Sequence, residues 1–136
     1  MKQKRFWKIW KEEGGFTFVE LMVVIAILGI LATVAVPKFS DSAAAANGAK
    51  IQADLQAIET GLAIYQAQGK AVSASTTVDA LVSAGCLSDK PVAPSGKYKI
   101  GDKAAVAVPD GASYAVNGDG RATFGGKTLK QLAEGT

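Results

Sequence analysis

Apolar and polar residues alternate along this chain on three length scales. Residues 16–36, FTFVELMVVIAILGILATVAV, are apolar almost without interruption and run into Pro37. A helix of these 21 residues rises about 31 Å, which matches the hydrocarbon thickness of a bilayer. After a polar patch over 38–42, apolar residues recur as Ile51, Leu55, Ile58, Leu62 and Tyr65, at steps of 4, 3, 4 and 3. That is the period of one helix face. Lys50, Asp54, Gln56 and Gln66 are expected on the opposite, solvent side. The two segments together predict one helix from Phe16 to Gln68, about 80 Å long, kinked near Pro37 and stopped by Gly69. The stripe is read as the surface on which the rest of the chain packs.

Beyond Gly69 the pattern shortens. Residues 71–77 read as a loop, with Thr76 or Thr77 capping a short helix over Val78–Ala84 that ends at Gly85. Asp89–Gly96 holds two prolines and reads as extended connection. Short strands are predicted over Lys97–Ile100, Ala104–Val108, Ser113–Val116 and Arg121–Phe124, with turn residues between them. Asn117-Gly118 is a hairpin signal. The fold class is therefore α+β: a long N-terminal helix, half membrane-like and half amphipathic, against a small antiparallel sheet of three to four strands. Four regions result: a basic leader (1–15), a hydrophobic helix (16–37), its amphipathic continuation (38–69) and a small β-rich head (70–136).

Charge changes the picture at one end only. The chain has 136 residues, with 15 Lys+Arg and 12 Asp+Glu. Five of the basic and two of the acidic residues lie in 1–15, so the remainder is balanced at ten of each (15 − 5 and 12 − 2). Basic residues ahead of an apolar span, with Lys38 alone just behind it, place the N-terminus in the cytosol and the head outside. The run is longer than the apolar core of an ordinary secretory signal, and Thr33-Val34-Ala35 is a mediocre cleavage site.

Histidine is absent and there is one cysteine, Cys86. That excludes His-dependent nucleophile triads, zinc–histidine sites and an internal disulfide. Cys86 reads as a buried small side chain. Asp102, Asp110 and Asp119 fall in separate turns and read as turn formers rather than as a calcium site. No catalytic residues, metal or cofactor are expected. No basic, aromatic-rich strip supports DNA binding.

Glu20 is the one charged residue between Glu13 and Lys38. An ionisable group inside a span points to function and asks for a partner. A cut between Gly15 and Phe16 would create one, as a new N-terminal amine. Here the chain resembles the type IV pilins and the related pseudopilins. Gly15-Phe16-Thr17-Phe18-Val19-Glu20, with a basic leader before and an apolar run after, is similar to their class III signal: glycine before the cut, a hydrophobic residue after it, and glutamate as fifth residue of the mature chain.

The resemblance implies cleavage at Gly15–Phe16 by a membrane aspartyl prepilin peptidase, which also N-methylates Phe16. It implies that Glu20 neutralises the Phe16 amine of a neighbouring subunit, with Thr17 sharing the polar contact, and that Gly29 and Pro37 weaken the helix for assembly. The implied partners are further copies of the chain in a homopolymer, the peptidase, an assembly platform with its ATPase, and inner-membrane lipids. The implied location is the cytoplasmic membrane for the precursor, and the cell surface or periplasm for the filament. Glu12-Glu13 departs from the pattern by placing acid next to the cut. Two functions share these features, a pilus subunit (major or competence-type) and the major pseudopilin of a type II secretion system. A membrane-anchored binding module is the third reading, and it leaves Glu20 unexplained.

Overall fold

The computed structural model of the chain describes residues 14–135. The basic leader expected over 1–15, with Glu12-Glu13, lies outside them except for Gly14 and Gly15. The chain divides into two units, residues 1–38 and 39–136. Helix α1 (Phe18–Ala67) supplies all the regular structure described in the first unit and continues into the second.

In the first unit the apolar side chains of α1 are exposed all round, from Phe18 (76%) to Val36 (67%). A helix that is apolar on every side and buries none of it is unstable in water and suited to lipid or to a packed helical core. Its 18-residue apolar stretch has a mean hydropathy of 2.7, enough in length and composition to cross a membrane. Pro37 lies inside α1.

The second unit has an ordinary core. Ile51, Leu55, Ile58 and Leu62 are at most 3% exposed, and Tyr65 packs half-buried at the end of the row. They meet Leu81 of α2 (Val78–Ser83), Tyr114 of β3 (Tyr114–Val116) and Phe124 of β4 (Ala122–Phe124). The Phe124 ring lies 5.1 Å from that of Tyr114 and edge-on to Tyr98 at 6.0 Å. Burying a large aromatic completely contributes several kilocalories, so truncating Phe124 would cost about 3–5 kcal/mol.

Local signals explain where the elements stop. Gly69, with φ 79°, ends α1, with Lys70 N–H donating to the Tyr65 carbonyl and Gly69 N–H to that of Gln66. These are the two bonds of a Schellman cap. Thr77 caps α2 by accepting from Ala80 N–H, and Gly85 closes it with φ 69°. The hairpin between β3 and β4 forms where Asn117-Gly118 predicted it. The residue in the left-handed region is Gly120, and the Asn117 side chain accepts from the N–H groups of Asp119 and Arg121. The turn is therefore a three-residue loop with a bulge glycine rather than a two-residue Asn-Gly turn.

The strands differ from expectation in grouping. β1 (Lys97–Tyr98) pairs with β2 (Val106–Ala107), while β3, β4 and β5 (Lys127–Thr128) form a separate antiparallel sheet. Pro109, Asp110 and Gly111 break the run between β2 and β3, with Ala112 N–H closing a turn onto the Pro109 carbonyl. A last helix, α3 (Leu129–Glu134), was not predicted. Thr128 and Gln131 form a capping box at its start and Gly135 ends it in the left-handed region.

Candidate functional site

Two places in the chain carry residues whose role is more than packing. The first is the start of α1. Gly14 to Thr17 are non-helical and exposed, Phe16 is 90% exposed, and nothing lies within 4 Å of where a Cβ on Gly14 or Gly15 would sit. The Gly15–Phe16 peptide thus lies on open, irregular backbone, two residues ahead of the first helical residue. Thr17 N–H donates to Glu20 Oε2 at 2.8 Å, and Glu20 N–H donates to Thr17 Oγ1 at 3.2 Å. That reciprocal pair is a capping box, which satisfies two of the orphan donors at a helix start. The Thr17-x-x-Glu20 spacing carries this signal in the sequence; the expectation gave both residues only a role toward a neighbouring subunit. Gly29 and Pro37 both lie within α1, and a Cβ added at Gly29 would meet nothing within 4 Å outside the helix's own backbone.

The second place is the seam between α1 and the head. Ile51, Leu55, Ile58, Leu62 and Tyr65 all lie on it. Lys50 is exposed, as expected, while Asp54, also expected toward solvent, is partly buried at the edge of the stripe. Tyr114 donates its phenolic hydrogen to Asp54 Oδ2 at 2.6 Å, and Lys50 pairs with the same oxygen while donating to the Val92 carbonyl at 2.8 Å. Glu59 Oε1 accepts from Arg121 Nε at 2.8 Å and from Ala122 N–H at 3.1 Å. The seam also contains a contact absent from the expectations. Lys99 N–H donates to the Ala44 carbonyl at 2.8 Å, Asn47 Nδ2 donates to the carbonyls of Ser95 and Lys97, and Gly48 lies directly under the Lys99 carbonyl. A glycine in the middle of a helix costs about 1 kcal/mol, and that oddity was its only trace in the sequence.

Burial, and after it the Asp54 carboxylate, push the Tyr114 phenol above its ordinary value of 10.0. A raised folded value for a group that loses its proton means the protonated form is the one stabilised. Its contribution is then complete below the ordinary phenol value and is lost as the pH climbs above it. Tyr114→Phe should cost about 1–2 kcal/mol near neutrality. The gap between variant and parent should narrow above about pH 10. Urea unfolding of both proteins at neutral and alkaline pH reads this; a gap unchanged with pH would contradict it.

Comparison with known proteins fits the first place. The sequence model of the prokaryotic N-terminal methylation motif matches residues 10–36. A fimbrial protein of Pseudomonas aeruginosa is 36% identical over 67 residues, covering 49% of this chain and 44% of its own. The type IV narrow pilus major component PilA5 of Thermus thermophilus is 43% identical over 58 residues, 43% of this chain and 50% of its own. The type II secretion system core protein G of Klebsiella pneumoniae is 41% identical over 56 residues, 41% of this chain and 40% of its own. No solved structure gives a significant match. The N-terminal part of the chain is thus similar to type IV pilins and to a type II secretion core protein alike. The chain spans half or less of the length of these relatives.

Proposed function

We propose that the chain is a structural pilin that polymerises through its apolar helix into a type IV pilus, after cleavage at Gly15–Phe16 and N-methylation of Phe16. The observation that carries the reading is Glu20. It is the one charge in an exposed, bilayer-length apolar helix, and it stands at the fifth position after an open Gly15–Phe16 peptide. Exposed non-helical backbone suits a peptidase, which must bind its substrate extended. The amine released at Phe16 gives a neighbour's Glu20 a cationic partner, with Thr17 beside it. In an apolar filament interior each charge alone is costly, while paired and hydrogen-bonded charges offset much of that cost and fix the register. Gly29 and Pro37 are the positions where α1 can loosen during assembly.

On this reading the precursor sits in the cytoplasmic membrane with its head outside. Its partners are prepilin peptidase, further copies of itself, and the assembly platform with its ATPase. The likeness to the secretion core protein of Klebsiella pneumoniae supports a second reading as a major pseudopilin. N-terminal mass analysis of protein from sheared cell-surface material tests the proposal. The expected mature chain starts at Phe16 and carries one extra methyl group. The same species confined to the membrane fraction would favour the pseudopilin. An intact Met1, or a cut after Ala35, would overturn both.

A further inference from the structure

We infer that a pocket in the head, between the β1–β2 hairpin and α3, binds a free small acid, its carboxylate held by Lys103 and Lys127 and its apolar body resting on Ile100, Val106 and Leu132. The pocket lies wholly within the second unit and has a volume of about 140 Å³. Ile100 is 6% exposed and Leu132 7%, so both are core side chains that show it only a small face. Lys103 comes from the turn after β1 and lies against the end of α3, where a Cβ on Gly135 would stand 2.7 Å from its Nζ. Lys127 comes from β5 and Gln131 from α3, and both line the same pocket.

No acidic side chain lines the pocket. Lys50, Lys90, Arg121 and Lys130 each have a carboxylate partner, whereas among the described residues neither Lys103 nor Lys127 forms an ion pair. The carboxyl end of α3 is a favourable place for Lys103 alone, but it gives no reason for a second cation in the same pocket. Gln131 accepts the Thr128 N–H through Oε1, which leaves its amide hydrogens as donors. Two ammonium groups and an amide donor without an acid are complementary to an anion. Size and lining set the rest of the ligand. An apolar cavity of about 150 Å³ holds a molecule the size of benzene. An inorganic anion would fill part of such a volume and leave Ile100, Val106 and Leu132 facing water. A ring or a branched chain displaces that water and adds the contribution of the apolar area it buries.

The test uses the full chain in zwitterionic detergent micelles, with isotope-labelled methyl groups read by nuclear magnetic resonance and benzoate as the probe. Benzoate should shift the Ile100, Val106 and Leu132 methyl signals saturably, while those of Ile51 and Ile58 on α1 stay in place. Benzamide has the ring without the charge, and inorganic phosphate has charge without the ring. Each should bind at least about ten-fold more weakly than benzoate. Lys127→Gln should weaken benzoate about ten-fold and leave the rest of the methyl spectrum unchanged, and Lys103→Gln should do the same. Where Lys103→Gln disturbs the end of α3, Lys127→Gln still decides. Absence of a saturable shift, equal binding of benzamide or phosphate, or parental affinity in Lys127→Gln would overturn the inference. Pocket signals that move with protein concentration and not with benzoate would assign the pocket to a second copy and overturn it as well.

Discussion

Replacing Glu20 by glutamine is expected to reduce sheared filaments more than about ten-fold, while cleavage and methylation proceed. Two roles meet at this side chain, and the substitution separates them. In the single chain, Glu20 accepts the Thr17 N–H and closes the capping box. Glutamine has a carbonyl oxygen at the same place and serves that position nearly as well. In the filament, the proposed role is to neutralise the Phe16 amine of a neighbour. Glutamine carries no charge, so that amine would enter an apolar interior unpaired, which is the expensive outcome for a buried ion pair. Alanine removes both roles at once. The expected ranking therefore places Glu20→Gln with Glu20→Ala in filament yield, and with the parent in the helix content of the purified chain. Shearing yield, N-terminal mass and circular dichroism in detergent together read the three quantities. If Glu20→Gln formed filaments at the parental level, capping would be the whole function of Glu20 and the charge-pairing account would fail.

The double role shows what the sequence carries and what it hides. Helix α1 and its stripe were legible because burial imposes a period, and the period survives in the positions of Ile51, Leu55, Ile58 and Leu62. The Gly15–Phe16–Glu20 spacing was legible because a charge stands out in an apolar run. Both caps made by T-x-x-E/Q spacings, at Thr17 and at Thr128, were present as letters. They were missed because one was absorbed into an intermolecular role and the other opens a helix of six residues, too short to show a period. The division into two sheets was hidden for another reason. Strands of two or three residues are set by which backbone groups find partners, and composition does not record that. Lys50 and Asp54 read as solvent-facing because they are charged. Lys50 is indeed exposed, but Asp54 is partly buried at the edge of the stripe, where Tyr114 and Lys50 give its carboxylate partners.

Gly48→Ala is expected to destabilise the head by about 3 kcal/mol, or about 10–20 °C in melting temperature, against the ordinary rule for this substitution. Alanine stabilises an exposed helix by about 1 kcal/mol over glycine, and Gly29, with nothing within 4 Å, is such a site. At Gly48 an added Cβ would fall inside the van der Waals envelope of the Lys99 carbonyl oxygen. That atom is main chain, so no rotamer change relieves the overlap. Segment 95–99 must move off the helix, and the Lys99–Ala44 and Asn47 hydrogen bonds at 2.8–2.9 Å go with it. Each is worth about 1 kcal/mol, and more if a buried partner is stranded. Gly61 grades the effect: a Cβ there would stand 3.0 Å from the Cys86 carbonyl oxygen, which a shift of a few tenths of an ångström would relieve. The series Gly29→Ala, Gly61→Ala, Gly48→Ala should therefore run from no loss, through a small one, to a large one in thermal unfolding of the head. A Gly48→Ala protein melting with the parent would mean that the loop does not rest on the helix there.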